Sequence, residues 1–200
     1  MHRLYDLAAK GAEYIEPLRE EIRTVLAEHG GTITTRGLQQ MVKLDSFMKE
    51  SARFHPPGST SFNRKVLKGF TLSNGQYIPP GINVEVASQA VYHDSALFPD
   101  SSTFDGFRFS KLREGGTGTD HARNQFVTTN EQNLGFGYGR HACPGRFFAA
   151  NEIKMIMARL LLDFDFKNED GSKVRYPNIE IGRQSTPDPR KLLLFKRVAA

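Results

Sequence analysis

Residues 136–145 read Phe-Gly-Tyr-Gly-Arg-His-Ala-Cys-Pro-Gly and contain the only cysteine of this 200-residue chain, Cys143. Gly139 and Gly145 flank the cysteine, and glycine adopts backbone conformations that other residues avoid, so we expect both to let the segment fold tightly. Pro144 fixes its own φ angle and restricts Cys143. The segment therefore predicts a stiff loop that places a thiol close to the N-terminus of a following helix.

A single cysteine limits the chemistry of this loop. It excludes an internal disulfide, a four-thiolate iron–sulfur cluster and a zinc site built on paired cysteines. A nucleophilic thiol needs a base at its sulfur, and His141 lies two positions away without being forced into contact. A solitary thiolate can also be the axial ligand of a haem iron. An inert buried cysteine is the ordinary alternative, and the flanking glycines favour the iron ligand.

The same ten residues resemble the haem-binding signature of the cytochrome P450 family. Phe136, Gly139, His141, Cys143 and Gly145 fill the positions of that pattern. His141 stands where arginine is commoner, a substitution seen among filamentous-fungal members, and its charge depends on pH. The resemblance implies haem b as the cofactor and Cys143 as the ligand of its iron.

Three further segments resemble the family in the same order along the chain. Glu50 and Arg53 correspond to the Glu-x-x-Arg pair of the family's K helix, and Arg108 to an arginine that completes a structural network with them. Arg64 corresponds to a strand arginine that pairs with a haem propionate. Each match is weak alone, since a Glu–Arg pair three residues apart is ordinarily worth about 0.2–0.5 kcal/mol on a helix surface. The cofactor-binding residues that the resemblance implies are Cys143, His141, Arg64, Phe136, Gly137 and Gly145.

The resemblance spans nearly all of the chain but only the C-terminal part of the family's fold, whose members are typically more than twice this long. We therefore expect residues 1–200 to form a single partial domain, with residues 2–9 resembling the family's J helix. The preceding I helix, which carries an acidic residue and a threonine that deliver protons to dioxygen, is expected to be absent. No catalytic residue of that kind is expected in this chain.

Hydrophobic spacing predicts an α+β, mainly helical fold. Apolar residues at helical spacing predict a helix that stops at Gly30-Gly31 and a second long helix that ends at Pro56-Pro57. Residues 63–72, 77–78 and 82–87 are predicted strands of one small antiparallel sheet, with a hairpin turn at Asn74-Gly75.

The second half of the chain begins with proline, glycine and polar residues, which predict a long loop over residues 92–133 that resembles the family's meander. A strongly apolar helix follows Gly145 and corresponds to the family's L helix. Closing strands are expected at residues 164–166, 179–181 and 192–195, with a turn at 187–189 between the last two.

Composition favours a folded intracellular protein. The chain is 38% hydrophobic and 10% aromatic, and its net charge of +5 comes from scattered basic residues, which favours an ordinary basic surface over a nucleic-acid partner. It shows neither a secretory signal nor the ~18–20 consecutive apolar residues of a membrane span. The resemblance implies an endoplasmic-reticulum anchor in an N-terminal segment that is absent here.

The leading functional hypothesis, implied by the resemblance, is a haem-thiolate monooxygenase. It would hydroxylate a small organic substrate with O₂ and electrons from an NADPH-dependent reductase. One alternative is a truncated, non-catalytic haem-binding or inactive fragment, and another is a haem-thiolate isomerase or dehydratase that needs no reductase. Residues 56–62 and 184–188 match places where the family contacts substrate, and they do not identify it.

Overall fold

The computed structural model describes residues 1–198. It contains more helix than strand, which confirms the α+β, mainly helical prediction. Within these residues no helix is both long and apolar enough to cross a membrane. The helices are α1 (His2–Glu28), α2 (Thr35–Gln40), α3 (Val42–Phe54), α4 (Ser88–Tyr92), α5 (Arg108–Lys111), α6 (Gly118–Arg123) and α7 (Arg146–Asp163). The strands are β1 (Ser61–Lys65), β2 (Phe70–Thr71), β3 (Tyr77–Ile78), β4 (Asn83–Val86), β5 (Phe164–Asn168), β6 (Asn178–Ile181), β7 (Gln184–Pro187) and β8 (Leu193–Arg197).

The long helices form where apolar residues recur every three or four positions. In α1, Leu18, Ile22 and Val25 are buried, and the helix ends just before Gly30, whose φ of 64° is one that glycine adopts without strain. The second predicted helix is interrupted at Met41, whose ψ is 76°. It therefore forms as two separate helices, α2 and α3.

An aromatic cluster fixes the segment between α4 and α5 against the helical core. The ring of Tyr14 in α1 lies 5.4 Å from Phe47 in α3, and 5.8 and 5.1 Å from Phe104 and Phe107. The tilted and edge-to-face geometries are the ones that aromatic pairs prefer. Phe104 and Phe107 are thereby held beside α3, the helix that carries Glu50.

The strands pair locally. Within residues 1–198 they form four two-stranded antiparallel ladders, β1–β4, β2–β3, β5–β8 and β6–β7, so the prediction of one small sheet in the first half is wrong. The predicted strand over residues 63–72 is broken because β1 pairs with β4 whereas β2 pairs with β3. The hairpin turn is confirmed: Gly75, in the turn between β2 and β3, has a φ of 86°.

The prediction of a continuous loop over residues 92–133 is wrong in two places. The short helices α5 and α6 lie within it. Helix α6 begins with a capping box, in which the Thr117 hydroxyl accepts from the Asp120 amide and the Asp120 carboxylate accepts from the Thr117 amide. The strand β7 was not predicted either.

Candidate haem-binding site

Cys143 lies in the loop that leads into α7. Its side chain is half-buried and is not part of a disulfide. The Cys143 amide donates to the Phe136 carbonyl at 2.7 Å, which closes residues 136–143 into a tight loop. On the other side, Nη1 of Arg146 in the first turn of α7 donates to the Cys143 carbonyl at 3.0 Å. The backbone on both sides of the thiol is thus fixed.

Gly137 and Gly139 fold the loop, whereas the sequence predicted Gly139 and Gly145. Gly137 and Gly139 have φ values of 75° and 63°, in the left-handed region that favours glycine. Gly145, the N-cap residue of α7, has a φ of −84°, so the expectation of a special conformation there is wrong. A Cβ on Gly137 would also lie 3.2 Å from the His141 carbonyl oxygen, whereas one on Gly139 or Gly145 would meet open space.

This difference predicts a graded series of glycine-to-alanine variants. Gly137→Ala combines an unfavourable φ with a backbone contact, and we expect it to lower the free energy of unfolding by about 2 kcal/mol or more. Gly139→Ala carries only the φ cost, about 1 kcal/mol, and Gly145→Ala should be within about 0.5 kcal/mol of the unaltered chain. Urea unfolding of all three measures the order. Equal losses at Gly137 and Gly145 would contradict this account of the loop.

Aromatic contacts connect the loop to its surroundings. Phe136 packs edge-on against Phe126 at 5.2 Å between ring centroids. The ring centroid of Tyr138 lies 6.4 Å from that of Phe62 in β1, and the Arg64 guanidinium lies over the Phe62 ring, 4.2 Å from its centroid. Phe62 has a φ of 57° at the point where the β1–β4 register shifts. This bulge brings strand β1 to the cysteine loop.

The predicted polar residues of the site lie on its exposed side. His141 is exposed in a 3₁₀ turn over Gly139–His141, and Arg64 is half-buried with its Nη1 donating to the Asn63 carbonyl at 2.7 Å. Within the described part of the chain, no hydrogen bond joins the side chains of Arg64, His141 and Cys143. The structure thus brings β1 and the loop together through Phe62 and Tyr138 rather than through these three side chains.

A cavity of about 300 Å³ opens beside the loop. Its wall is largely apolar and includes Ala52 of α3, Phe136 and Ile153 of α7. Two residues that line it carry buried polar atoms, Nε of Arg3 and Oγ of Ser61, and neither atom has a hydrogen-bond partner among residues 1–198. Ser61 lies in the segment 56–62 that the resemblance indicated, whereas Arg3 was not indicated by the sequence. Positions 3 and 61 are too far apart in sequence for any local pattern to pair them.

The electrostatics of the cavity follow from burial. Burial, assisted by the nearby charge of Arg175, lowers the pKa of His2 to about 4 and that of His55 to about 3, so both rings are neutral near pH 7. Burial also lowers the pKa of Arg3 to about 10, which still leaves it charged. The Arg3 guanidinium lies over the Phe126 ring, 5.1 Å from its centroid. Arg3 therefore brings a positive charge to a mostly apolar wall.

The two segments that match substrate-contacting places of the family come together in the structure. The Ser185 amide donates to the Pro57 carbonyl and the Ser59 amide to the Arg183 carbonyl, each at 2.9 Å. Pro57 also lines the cavity. Segment 56–62 is therefore part of the cavity wall, and segment 184–188 is hydrogen-bonded to it.

Glu50, Arg53 and Arg108 form one buried network. Glu50 is completely buried and accepts from Nε and Nη2 of Arg53, both at 2.8 Å, and from Nε of Arg108 at 3.3 Å. The remaining donors of the two arginines reach the carbonyl of Tyr92, the last residue of α4, at 2.5 Å and carbonyls of the segment between α4 and α5, including that of Pro99 at 2.5 Å. The three side chains thereby attach this segment to α3.

The family model that matches this chain is that of cytochrome P450, and it aligns with residues 3–194. The chain belongs to the cytochrome P450 family. The cysteine loop, α3 and α7 therefore correspond to parts of the C-terminal portion of the P450 fold, as the resemblance implied.

Fungal P450 proteins are among its relatives. The chain is 45% identical to the cytochrome P450 monooxygenase AN1598 of Emericella nidulans, over 98% of this chain and 36% of that protein. It is also 45% identical to the ent-kaurene oxidase P450-4 of Gibberella fujikuroi (98% and 39%) and 42% identical to the monooxygenase braC of Annulohypoxylon truncatum (99% and 39%). The chain thus spans less than two fifths of the length of these P450 relatives.

Membership of the P450 family implies haem, and the chemistry of the residues present fits that group. A thiolate-ligated haem needs a cysteine, apolar walls and cationic or hydroxyl donors for its propionates. Cys143 is a half-buried thiol, Phe136 joins its loop to an apolar cavity, and the buried Arg3 and Ser61 donors lack partners among residues 1–198. Arg3 and Ser61 are therefore candidate propionate donors on the cavity wall. Arg64 and His141, the predicted donors, lie outside the cavity, on the side of the cysteine loop.

Proposed function

We propose that this chain supplies the C-terminal, haem-binding part of a P450 monooxygenase that hydroxylates a small organic substrate with O₂ and electrons from an NADPH-dependent reductase. The observation that carries the proposal is the position of Cys143, a half-buried thiol in a loop closed by its own amide. When bound, haem b supplies the iron at which dioxygen is reduced, and a thiolate ligand favours O–O cleavage.

Each predicted residue has a proposed role. The Cys143 sulfur binds the iron, and Arg64 and His141 hold the propionates by charge-assisted hydrogen bonds. Phe136 and Gly137 shape the loop beside the porphyrin, and Gly145 starts α7 close to it. Glu50, Arg53 and Arg108 have a structural role, because their donors and acceptors are used in holding the segment between α4 and α5.

The same proposal treats residues 1–200 as one partial domain within a protein of the relatives' length. The coverage of those relatives supports it, at 36–39% of each of the three compared. So does α7, where Phe147, Phe148, Met155 and Ile156 are 45–73% exposed. Because α7 is apolar on more than one face, it is typical of a helix that is covered on all sides in a larger core. Proton delivery and an endoplasmic-reticulum anchor belong to the rest of that protein.

The test is the absorption spectrum of the purified chain after reconstitution with haem, reduced and saturated with carbon monoxide. We expect the strongly red-shifted Soret band of a thiolate-ligated haem. A reduced haem spectrum without that shift would contradict Cys143 as ligand, and no bound haem would favour the inactive-fragment alternative. With a full-length protein, oxidation that requires NADPH and a reductase distinguishes a monooxygenase from an isomerase or dehydratase.

A further inference from the structure

A second buried polar site surrounds Asp45 of α3, away from the cysteine loop. Its carboxylate accepts from Nζ of Lys154 in α7 at 2.7 Å, from Nη2 of Arg113, and from the Phe126 amide at 2.9 Å. The side chains of Asp45, Arg113 and Lys154 are only 6–7% exposed. Burial opposes ionisation of Asp45, but the two cations and the hydrogen bonds outweigh it and hold its pKa below the ordinary range.

The direct ion pairs at this site do not balance. Two buried cations, Arg113 and Lys154, share the Asp45 carboxylate where desolvation is costly. The other carboxylate near Lys154, Glu21, accepts from the backbone amides of Lys43 and Leu44, so it does not pair directly with the second cation.

Lys49, one helical turn after Asp45, is also buried. Burial lowers the pKa of Lys49 to about 7. The repulsion of Arg113 and Arg123 lowers it further, and the attraction of Asp45 opposes the shift. The cluster therefore already opposes a further positive charge.

A cavity of about 360 Å³ with both polar and apolar walls adjoins Arg113 and Lys154. Arg113 and Lys154 line it together with Asp45 and the amide residues Gln39, Gln125 and Asn151, and the rest of its wall is apolar. Nε of Arg113 is buried and has no hydrogen-bond partner among residues 1–198. A buried donor of this kind costs about 1–3 kcal/mol unless a partner or ordered water satisfies it.

We propose that this cavity binds a small tetrahedral oxyanion of the phosphate type. Such an anion pairs with Arg113 and Lys154, accepts from the buried Nε, and uses the surrounding amides as further donors. Asp45 does not compete for it, because its carboxylate is engaged by both cations. The inference is independent of haem binding, since the site uses none of the residues assigned to the cofactor.

The experiment compares the thermal unfolding midpoint of the full chain in inorganic phosphate and in chloride at equal ionic strength and pH. We expect phosphate to raise the midpoint in a saturable, concentration-dependent way, as a ligand of the native state does. Asn151→Ala removes one neutral lining donor and should weaken the apparent phosphate affinity roughly tenfold. Lys154→Met removes one of the two cations and should abolish the difference between the two salts.

The matched control lies on the same helix. Arg159 is exposed and paired with Asp163, so Arg159→Met removes a cation of α7 outside the cavity and should leave the phosphate response unchanged. Asn151→Ala keeps all charges and changes only the lining, so it tests the site even if Lys154→Met does not fold. The proposal is overturned if phosphate raises the midpoint no more than chloride does, or if Arg159→Met weakens the response as much as Asn151→Ala.

Discussion

Replacing Glu50 by glutamine is expected to lower the free energy of unfolding by about 3–5 kcal/mol. The substitution keeps the shape of the side chain but removes its charge from a completely buried position. Arg53, itself only 3% exposed, then keeps a buried positive charge without a carboxylate, and one of its N–H donors faces an amide NH₂ group. Removal of one partner of a buried ion pair is costly for this reason.

Urea unfolding followed by circular dichroism measures the loss. The matched control is Glu16→Gln, which removes the same charge from an ion pair with Arg19 in which the carboxylate is 70% exposed. Because this carboxylate is exposed and Arg19 keeps a second carboxylate, that of Asp165 at 2.6 Å, the control should change stability by less than about 1 kcal/mol. A loss at Glu50 no greater than the loss at Glu16 would show that the network does not hold the fold together.

The network also shows why family resemblance predicted more than local pattern did. Spacing alone places Glu50 and Arg53 on one face of a helix, which is ordinarily a solvated pair. What makes the pair structural is Arg108, 58 positions after Glu50, and the carbonyls of Tyr92 and Pro99 that complete the donors. Those partners are set by tertiary folding, and only the order of motifs along the chain indicated them.

Elements with a strong local sequence signal were predicted, and elements without one were not. The helices α1, α3 and α7 carry repeated apolar positions, and the β2–β3 turn carries Asn74-Gly75. Strand β7 consists of polar residues and a proline, so neither alternation nor propensity marks it. Its hydrogen bonds to β6 and its bridge to Gly58 are what make it a strand.

The candidate site likewise contains residues that the sequence could locate and residues that only the structure shows. The cysteine loop could be located from its own ten residues, although the glycine that a Cβ would disturb most is Gly137 rather than Gly145. The position of Arg3 on the cavity wall, and the contact of Asp6 with Arg175 at 2.5 Å across 169 positions, depend on how α1 packs. No window of sequence contains both members of such pairs, so only the structure could show them.

Replacing Cys143 by serine is expected to remove the red-shifted Soret band of the reduced, carbon-monoxide-bound chain completely. Serine keeps the size and the loop geometry, including the amide bond to Phe136, but a hydroxyl does not replace a thiolate as the axial ligand. Because the side chain is half-buried and makes no disulfide, the substitution should change the unfolding midpoint in urea little. Loss of the band in a folded chain therefore reports ligation rather than stability.

The control is His141→Gln, which removes the histidine of the loop, another side chain that can bind haem iron. In our assignment His141 contacts a propionate, so the variant should keep the red-shifted band and bind haem more weakly. The opposite pattern, in which His141→Gln loses the band and Cys143→Ser keeps its spectrum, would make the histidine the iron ligand. Since His141 is exposed and Cys143 is half-buried beside the closed backbone of the loop, the geometry favours the thiol.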